Sequence, residues 1–380
     1  MDVALEGGPV EIAGALDLDR TATGIAPRRL PAWTRPQIPD LFMEFMVTLG
    51  SGVRIAFRTD APWIELDVHP TGFEVTNMPA PTIAYDLVVD GTRVARQVAD
   101  FGTMLVVDLA SFDVSVRTGE VGTIRFDELA DEMKDVELWV SQAAASELRA
   151  LRVADGARVE APLHTRRRWV HYGSSISHCV EAHGPSDVWP AVAARRGDVE
   201  LLQLAVAGQC HLDQFVARTI GQQAVDLISM KVGINVVNAN SLTERTFPSA
   251  LHGFIDTVRE RHPDAPFLVA SPIVCPMAET HPGPTIPDGA GGFRVIDGAP
   301  PELRAADLTL TRIRTIVRDV VAGRRERGDV NLHHLDGLEL FGPDDVGDLP
   351  DGLHPNADGY LRMGERFAAH AFAAGGPFAA

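Results

Sequence analysis

The hydrophobic period of this chain changes at Pro162. Beyond that point, short apolar runs alternate with longer stretches of helical spacing. Residues 169–172, 201–206, 227–232, 267–271 and 330–335 read as strands. Residues 187–196, 212–223, 251–261 and 302–325 read as the helices between them, and a last helix is expected from about 357 to 373. Parallel neighbours need a crossover that returns the chain to the same end of the sheet, and strands alternating in series with helices read as such units. The pattern therefore predicts a parallel, doubly wound five-stranded sheet with helices on both faces. Ligands of such sheets bind outside the carboxyl ends of the strands.

Before Pro162 the runs are short and close together. They fall at 42–49, 53–58, 63–68, 85–89, 92–96, 104–108, 113–117, 123–126 and 136–140. Several alternate apolar with polar, and Asp90-Gly91 marks a hairpin turn. This half predicts an antiparallel β-sandwich, jelly-roll-like. At 380 residues the chain is long for one core. The expected division is an accessory sandwich over 1–162 and an α/β domain over 163–380.

The residues that carry chemistry all follow strands of the second half. Ser175 lies in Gly173-Ser174-Ser175-Ile176-Ser177, directly after the first of these strands. A serine on such a turn exposes its oxygen and brings backbone N–H groups toward a developing oxyanion. Asp351 and His354 sit three residues apart in Asp351-Gly352-Leu353-His354-Pro355. That spacing lets a carboxylate hold one imidazole nitrogen while the other faces a nucleophile. An aspartate capping the last helix and a solvated histidine is the plainer reading of the same residues. Gly208 follows the second strand and Asn235 the third. A backbone N–H from the first and a side-chain N–H from the second would complete an oxyanion hole with Ser175. The plainer readings are a turn glycine and a helix-capping asparagine.

Taken together, these blocks resemble the SGNH, or GDSL-type, ester hydrolases. Ser175, Gly208, Asn235 and His354 match the family's Ser, Gly, Asn and His in order, with Asp351 three residues before the histidine. The resemblance covers roughly Arg168 to Ala373. Two positions depart from the usual blocks: Ser174 stands where the first often has Asp, and Val236 follows Asn235 where Asp is common. The resemblance implies a flavodoxin-like three-layer α/β/α domain, a catalytic triad of Ser175, Asp351 and His354, an oxyanion hole of Ser175, Gly208 and Asn235, and no resident cofactor. Hydrolysis of a small-molecule or carbohydrate ester is the expected reaction. The two-domain layout resembles a subgroup with an N-terminal sandwich. That subgroup implies an alternative, transfer of an aryl acyl group from coenzyme A to a sugar or polyketide hydroxyl.

Composition bounds the partners. A net charge of −18 argues against a nucleic-acid or anionic-membrane surface, because phosphate binding needs clustered Lys and Arg. Arg166-Arg167-Arg168 is the one compact basic run and reads as a solvated entry to a strand. The N-terminus carries no signal-peptide pattern, and the three cysteines, Cys179, Cys210 and Cys275, fit reduced thiols in a cytoplasm. His178, Cys179, Cys210 and His211 have the side chains of a zinc site but not its spacing, so no metal is expected. The Gly- and Pro-rich segment 281–301 reads as a surface connector, with a lid over the site as its alternative. A sugar-binding protein on an inactive domain is the rival to an enzyme, with Trp33 and Trp63 as its aromatic candidates.

Overall fold

The computed structural model describes residues 1–108, 113–296, 304 and 306–379. They form two compact units. One comprises Met1–Arg166 with Cys179–Ala191, the other Arg167–His178 with Val192–Ala380.

The second unit holds a five-stranded parallel sheet. In chain order its strands are Arg167–Gly173, Val199–Gln203, Leu227–Lys231, Phe267–Ala270 and Leu332–Leu335. They lie in the order second, first, third, fourth, fifth, all parallel. The order reverses at the first strand, so the carboxyl ends of the first three strands form the natural crevice. Successive side chains of the first strand show why both faces are covered. Trp169 stacks on Phe367 of the last helix, Ala357–Ala371, at a ring separation of 5.1 Å. Tyr172, pointing the other way, stacks on Phe254 of helix Phe247–Arg259 at 5.2 Å. Both rings are wholly buried. Truncating such a residue to Ala costs about 3–5 kcal/mol. The helix expected over 302–325 is seen as Leu310–Glu326, and residues 302, 303 and 305 lie outside those described.

The first unit carries an eight-stranded and a six-stranded sheet. The central strands of the larger are Ile64–Val75 and Ala144–Val153, and the smaller is centred on Arg54–Thr59 and Lys134–Trp139. Pairing is antiparallel apart from Ile64–Val75 with Thr103–Val107. Period-two alternation sends Ile64, Leu66 and Val68 of one sheet, joined by Leu148 and Leu151 from either side of a bulge, into the same buried cluster as Ile55, Phe57, Leu87, Val136 and Leu138 of the other.

One difference from expectation, and one strand outside the expected runs, have local causes. Residues 42–49 are not a strand: Leu41–Met46 is a helix. Asp40 caps it, accepting the Met43 N–H at 2.7 Å, and Met43 and Met46, three residues apart, are its buried side. The strand Ala144–Val153 carries no uniform alternation, because a bulge between Leu148 and Ala150 shifts the register midway.

The segment Cys179–Ala191, which directly follows the helix Ser175–His178, packs within the first unit. Buried Asp86 accepts from Arg96 Nε at 2.6 Å and Nη2 at 2.7 Å, and from the N–H and hydroxyl of Ser186 at 3.0 and 2.6 Å. Arg96 also reaches Asp187 at 2.7 Å. Gln142 donates to the carbonyls of Val180 and Ala182 at 3.3 and 3.2 Å.

Candidate active site

Ser175 opens a one-turn helix, Ser175–His178, two residues beyond the first parallel strand. Side chains from three strands hold that turn. Trp169 Nε1 donates to Ser229 Oγ at 2.8 Å. Ser229 Oγ lies 2.7 Å from His171 Nδ1, and His171 Nε2 lies 2.9 Å from Ser177 Oγ. Since the indole can only donate, the Ser229 hydroxyl is free to donate onward to Nδ1, and Nε2–H then donates to Ser177. Burial, assisted by the charge of Lys231, holds His171 well below the usual histidine range, so the ring is neutral. Gln203 of the second strand donates to the Ser177 carbonyl at 2.6 Å.

Asp351 and His354 lie on the loop before the last helix. The turn needs a left-handed residue, supplied by Gly352 at φ +79°. Asp351 Oδ1 accepts the N–H of Leu353 at 2.8 Å and of His354 at 2.7 Å. Its other oxygen, Oδ2, meets His354 Nδ1 at 2.7 Å, and His354 Nε2 meets Ser175 Oγ at 2.9 Å. Burial opposes the charge on Asp351, but the hydrogen bonds and charge of His354 and the two backbone N–H groups outweigh it. The carboxyl is held below its ordinary range and is ionised at neutral pH. Asn356, not Asp351, caps the last helix, accepting the Gly359 N–H at 2.8 Å.

Gly208 turns the chain after the second strand at φ +70°, a backbone state that L side chains adopt at a cost. The turn is set beside the nucleophile loop by Val206 N–H, which donates to Gly173 O at 2.9 Å. Asn235 is the second residue of helix Ile234–Ala239, after the third strand. Its Oδ1 accepts the N–H of Cys210 at 3.0 Å. This fixes the orientation of the amide and leaves the Nδ2 hydrogens as the donors it can offer elsewhere. The cysteine N–H carries no side-chain signal, so this contact was beyond sequence reasoning.

The side chains considered for zinc have other neighbours. The Cys210 thiol is 3.9 Å from the Lys231 carbonyl, and His211 Nδ1 is 2.8 Å from Ser241 Oγ. Burial pushes the thiols of Cys210 and Cys275 up to about 12. Trp63, a candidate sugar platform, has the Arg125 guanidinium over its ring at 4.6 Å.

Segment 281–301 is more than a surface connector, although 297–301 lie outside the described residues. Strands Thr285–Pro287 and Phe293–Val295 form a hairpin. Asp288 closes its turn, accepting the N–H of Ala290 at 2.7 Å and of Gly292 at 2.9 Å. The N–H of Phe293 donates to Asp351 O at 3.2 Å, and its ring meets the His354 ring edge-on at 5.8 Å.

The chain matches the GDSL-like lipase/acylhydrolase family over residues 171–362. It belongs to that family. It is accordingly an enzyme that acts on esters. No curated protein matches it. Among solved structures it is similar to a salicylyl-acyltransferase, SsfX3, from a tetracycline biosynthetic pathway. The two are 27% identical over 96% of this chain and 95% of that one, with a TM-score of 0.80. A family two carbohydrate esterase from Clostridium thermocellum, in complex with cellohexaose, shares the fold at 13% identity over 95% and 97% of the two chains, TM-score 0.60. Another from Cellvibrio japonicus does so at 11% identity over 97% and 96%, TM-score 0.57. Among the described residues, no helix is long and apolar enough to cross a membrane.

Proposed function

We propose that this enzyme works through an acyl-enzyme on Ser175, and that its reaction is hydrolysis of a small-molecule or carbohydrate ester. The observation that carries the reading is the hydrogen-bond chain from Asp351 Oδ2 through His354 to Ser175 Oγ, at 2.7 and 2.9 Å. An ionised Asp351 only accepts, so Nδ1 carries the hydrogen and Nε2 is free to take the Ser175 proton. As Oγ bonds to the carbonyl carbon, the π pair moves to oxygen. The N–H groups of Ser175 and Gly208 and the Asn235 amide are the proposed donors to that oxyanion. Collapse restores the carbonyl and expels the alcohol, which takes the proton from Nε2. Water then gives its proton to His354 and attacks, and Ser175 leaves with that proton.

A second reading replaces the water with a bound alcohol and takes the acyl group from an ester or a coenzyme A thioester. The end-to-end likeness to a salicylyl-acyltransferase favours it. Neither reading uses a resident cofactor or metal. The test is a panel of p-nitrophenyl esters with the protein and its Ser175→Ala variant, with intact-mass detection of the adduct. Turnover and an acyl adduct are expected in the wild type, and a loss of roughly 10³-fold or more in the variant. Sugar or polyketide alcohols added to the reaction divide hydrolysis from transfer by product. Activity untouched by the substitution refutes both readings.

A further inference from the structure

The hairpin 285–295 joins the two sides of the site. One arm, Thr285–Pro287, packs beside helix Ile234–Ala239, which carries Asn235. The other arm, Phe293–Val295, lies against the loop that carries Asp351 and His354. Its approach to that loop is close: a Cβ on Gly292 would stand 3.2 Å from the Asp351 carbonyl oxygen. The base is held as well, by Arg304, whose Nη2 donates to Pro282 O at 2.7 Å. The turn is tied by Asp288, so the hairpin is a built element that carries Phe293 to the imidazole.

The chemistry says which part of the substrate lies there. In a serine acyl transfer the imidazole returns its proton to the leaving oxygen, and later takes a proton from the incoming one. Both oxygens must therefore come within hydrogen-bond reach of His354 Nε2. The alcohol portion lies on the histidine side of the carbonyl, and the oxyanion donors lie on another. Phe293 meets the histidine ring edge-on at 5.8 Å, and so stands on the histidine side.

We infer that Phe293 is the specificity-determining residue for the alcohol rather than for the acyl group, and that the preferred alcohol presents an apolar ring face to it. This rests on the acyl-enzyme reading above. A half-buried phenyl ring against the catalytic imidazole offers a flat apolar surface and no hydrogen bond. Cyclic alcohols, including the C–H face of a sugar, cover that surface; a short open-chain alcohol leaves it wet.

The test compares two ratios of kcat/KM in the wild type, Phe293→Ala and Phe293→Leu. One is cyclohexyl acetate over ethyl acetate, which varies the alcohol. The other is ethyl benzoate over ethyl acetate, which varies the acyl group. Phe293→Ala is expected to lower the first ratio roughly 10- to 100-fold, the range for a lost apolar contact in a pocket. The second ratio is expected to stay within about twofold, and Phe293→Leu to fall between for the first. Equal shifts in both ratios, or no shift in the first, overturn the assignment. Intact mass of the wild type under the same conditions separates the two levels: no acyl adduct on Ser175 overturns the acyl-enzyme reading itself.

Discussion

Replacing Asp351 with Asn tests the triad more sharply than removing it. In the native loop, Oδ1 takes two backbone N–H groups, at 2.8 and 2.7 Å, and Oδ2 takes His354 Nδ1 at 2.7 Å. An amide has only one acceptor oxygen. It stays with the two backbone donors, because turning it round would set its NH₂ against them. The NH₂ then faces His354 Nδ1 and can only donate. Nδ1 becomes an acceptor, so the neutral ring carries its hydrogen on Nε2, aimed at Ser175 Oγ. A ring in that tautomer takes no proton from the serine. The expected loss is about 10⁴-fold in kcat, or about 5 kcal/mol of transition-state stabilisation. Stability should hardly move, since the backbone bonds survive. Asp351→Ala is expected to lose as much activity and also to leave the two N–H groups without their partner. At about 1 kcal/mol each, and roughly 2–4 °C per kcal/mol for a unit of this size, Tm falls by several degrees. The assays are p-nitrophenyl acetate turnover and thermal melting. An Asp351→Asn variant within tenfold of wild-type kcat refutes the tautomer argument. So does an Asp351→Ala variant that melts together with Asp351→Asn.

Two other outcomes are expected. Asn235→Ala removes a proposed oxyanion donor and should lower kcat by about 10²–10³; because it also strands the Cys210 N–H, its melting temperature should drop too, and unchanged kcat would remove Asn235 from the oxyanion hole. Cys210 and Cys275, buried and pushed up to about 12, should resist a thiol reagent at pH 8 until the protein is unfolded. Rapid labelling of the native protein at either residue contradicts the burial.

The parallel sheet was legible because its strands are buried on both faces and read as apolar runs, as in Phe267–Ala270. Ser175, Asp351 and His354 were legible for another reason. Ser175 is a polar residue on a turn after an apolar run, and the three-residue spacing of Asp351 and His354 already suggested the bond now seen between them. What stayed hidden depends on contacts across the sequence. The link between Cys210 and Asn235 runs through a backbone N–H, which every residue has. Phe293 lies 61 positions before His354, in a segment whose glycines and prolines signal only a loop. In the sandwich, the early strands Asp2–Val3, Glu11–Ala13 and Asp17–Arg20 are two to four residues long, too short to show a period. Residues 42–49 misled because their apolar content masks the capping role of Asp40.

The allocation of Cys179–Ala191 to the first unit bears on how such a protein can change over generations. The polypeptide passes from one unit to the other three times, after Arg166, after His178 and after Ala191. A gene fragment encoding the α/β half alone would still specify Ser186 and Asp187, but not Asp86, Arg96 or Gln142, whose groups they and their neighbours bond. Recombination at a single junction cannot separate the halves cleanly. A cut after Arg166 therefore leaves Cys179–Ala191 without the groups it bonds, so truncation of the chain at that point exposes Ser186 and Asp187 rather than releasing an intact unit.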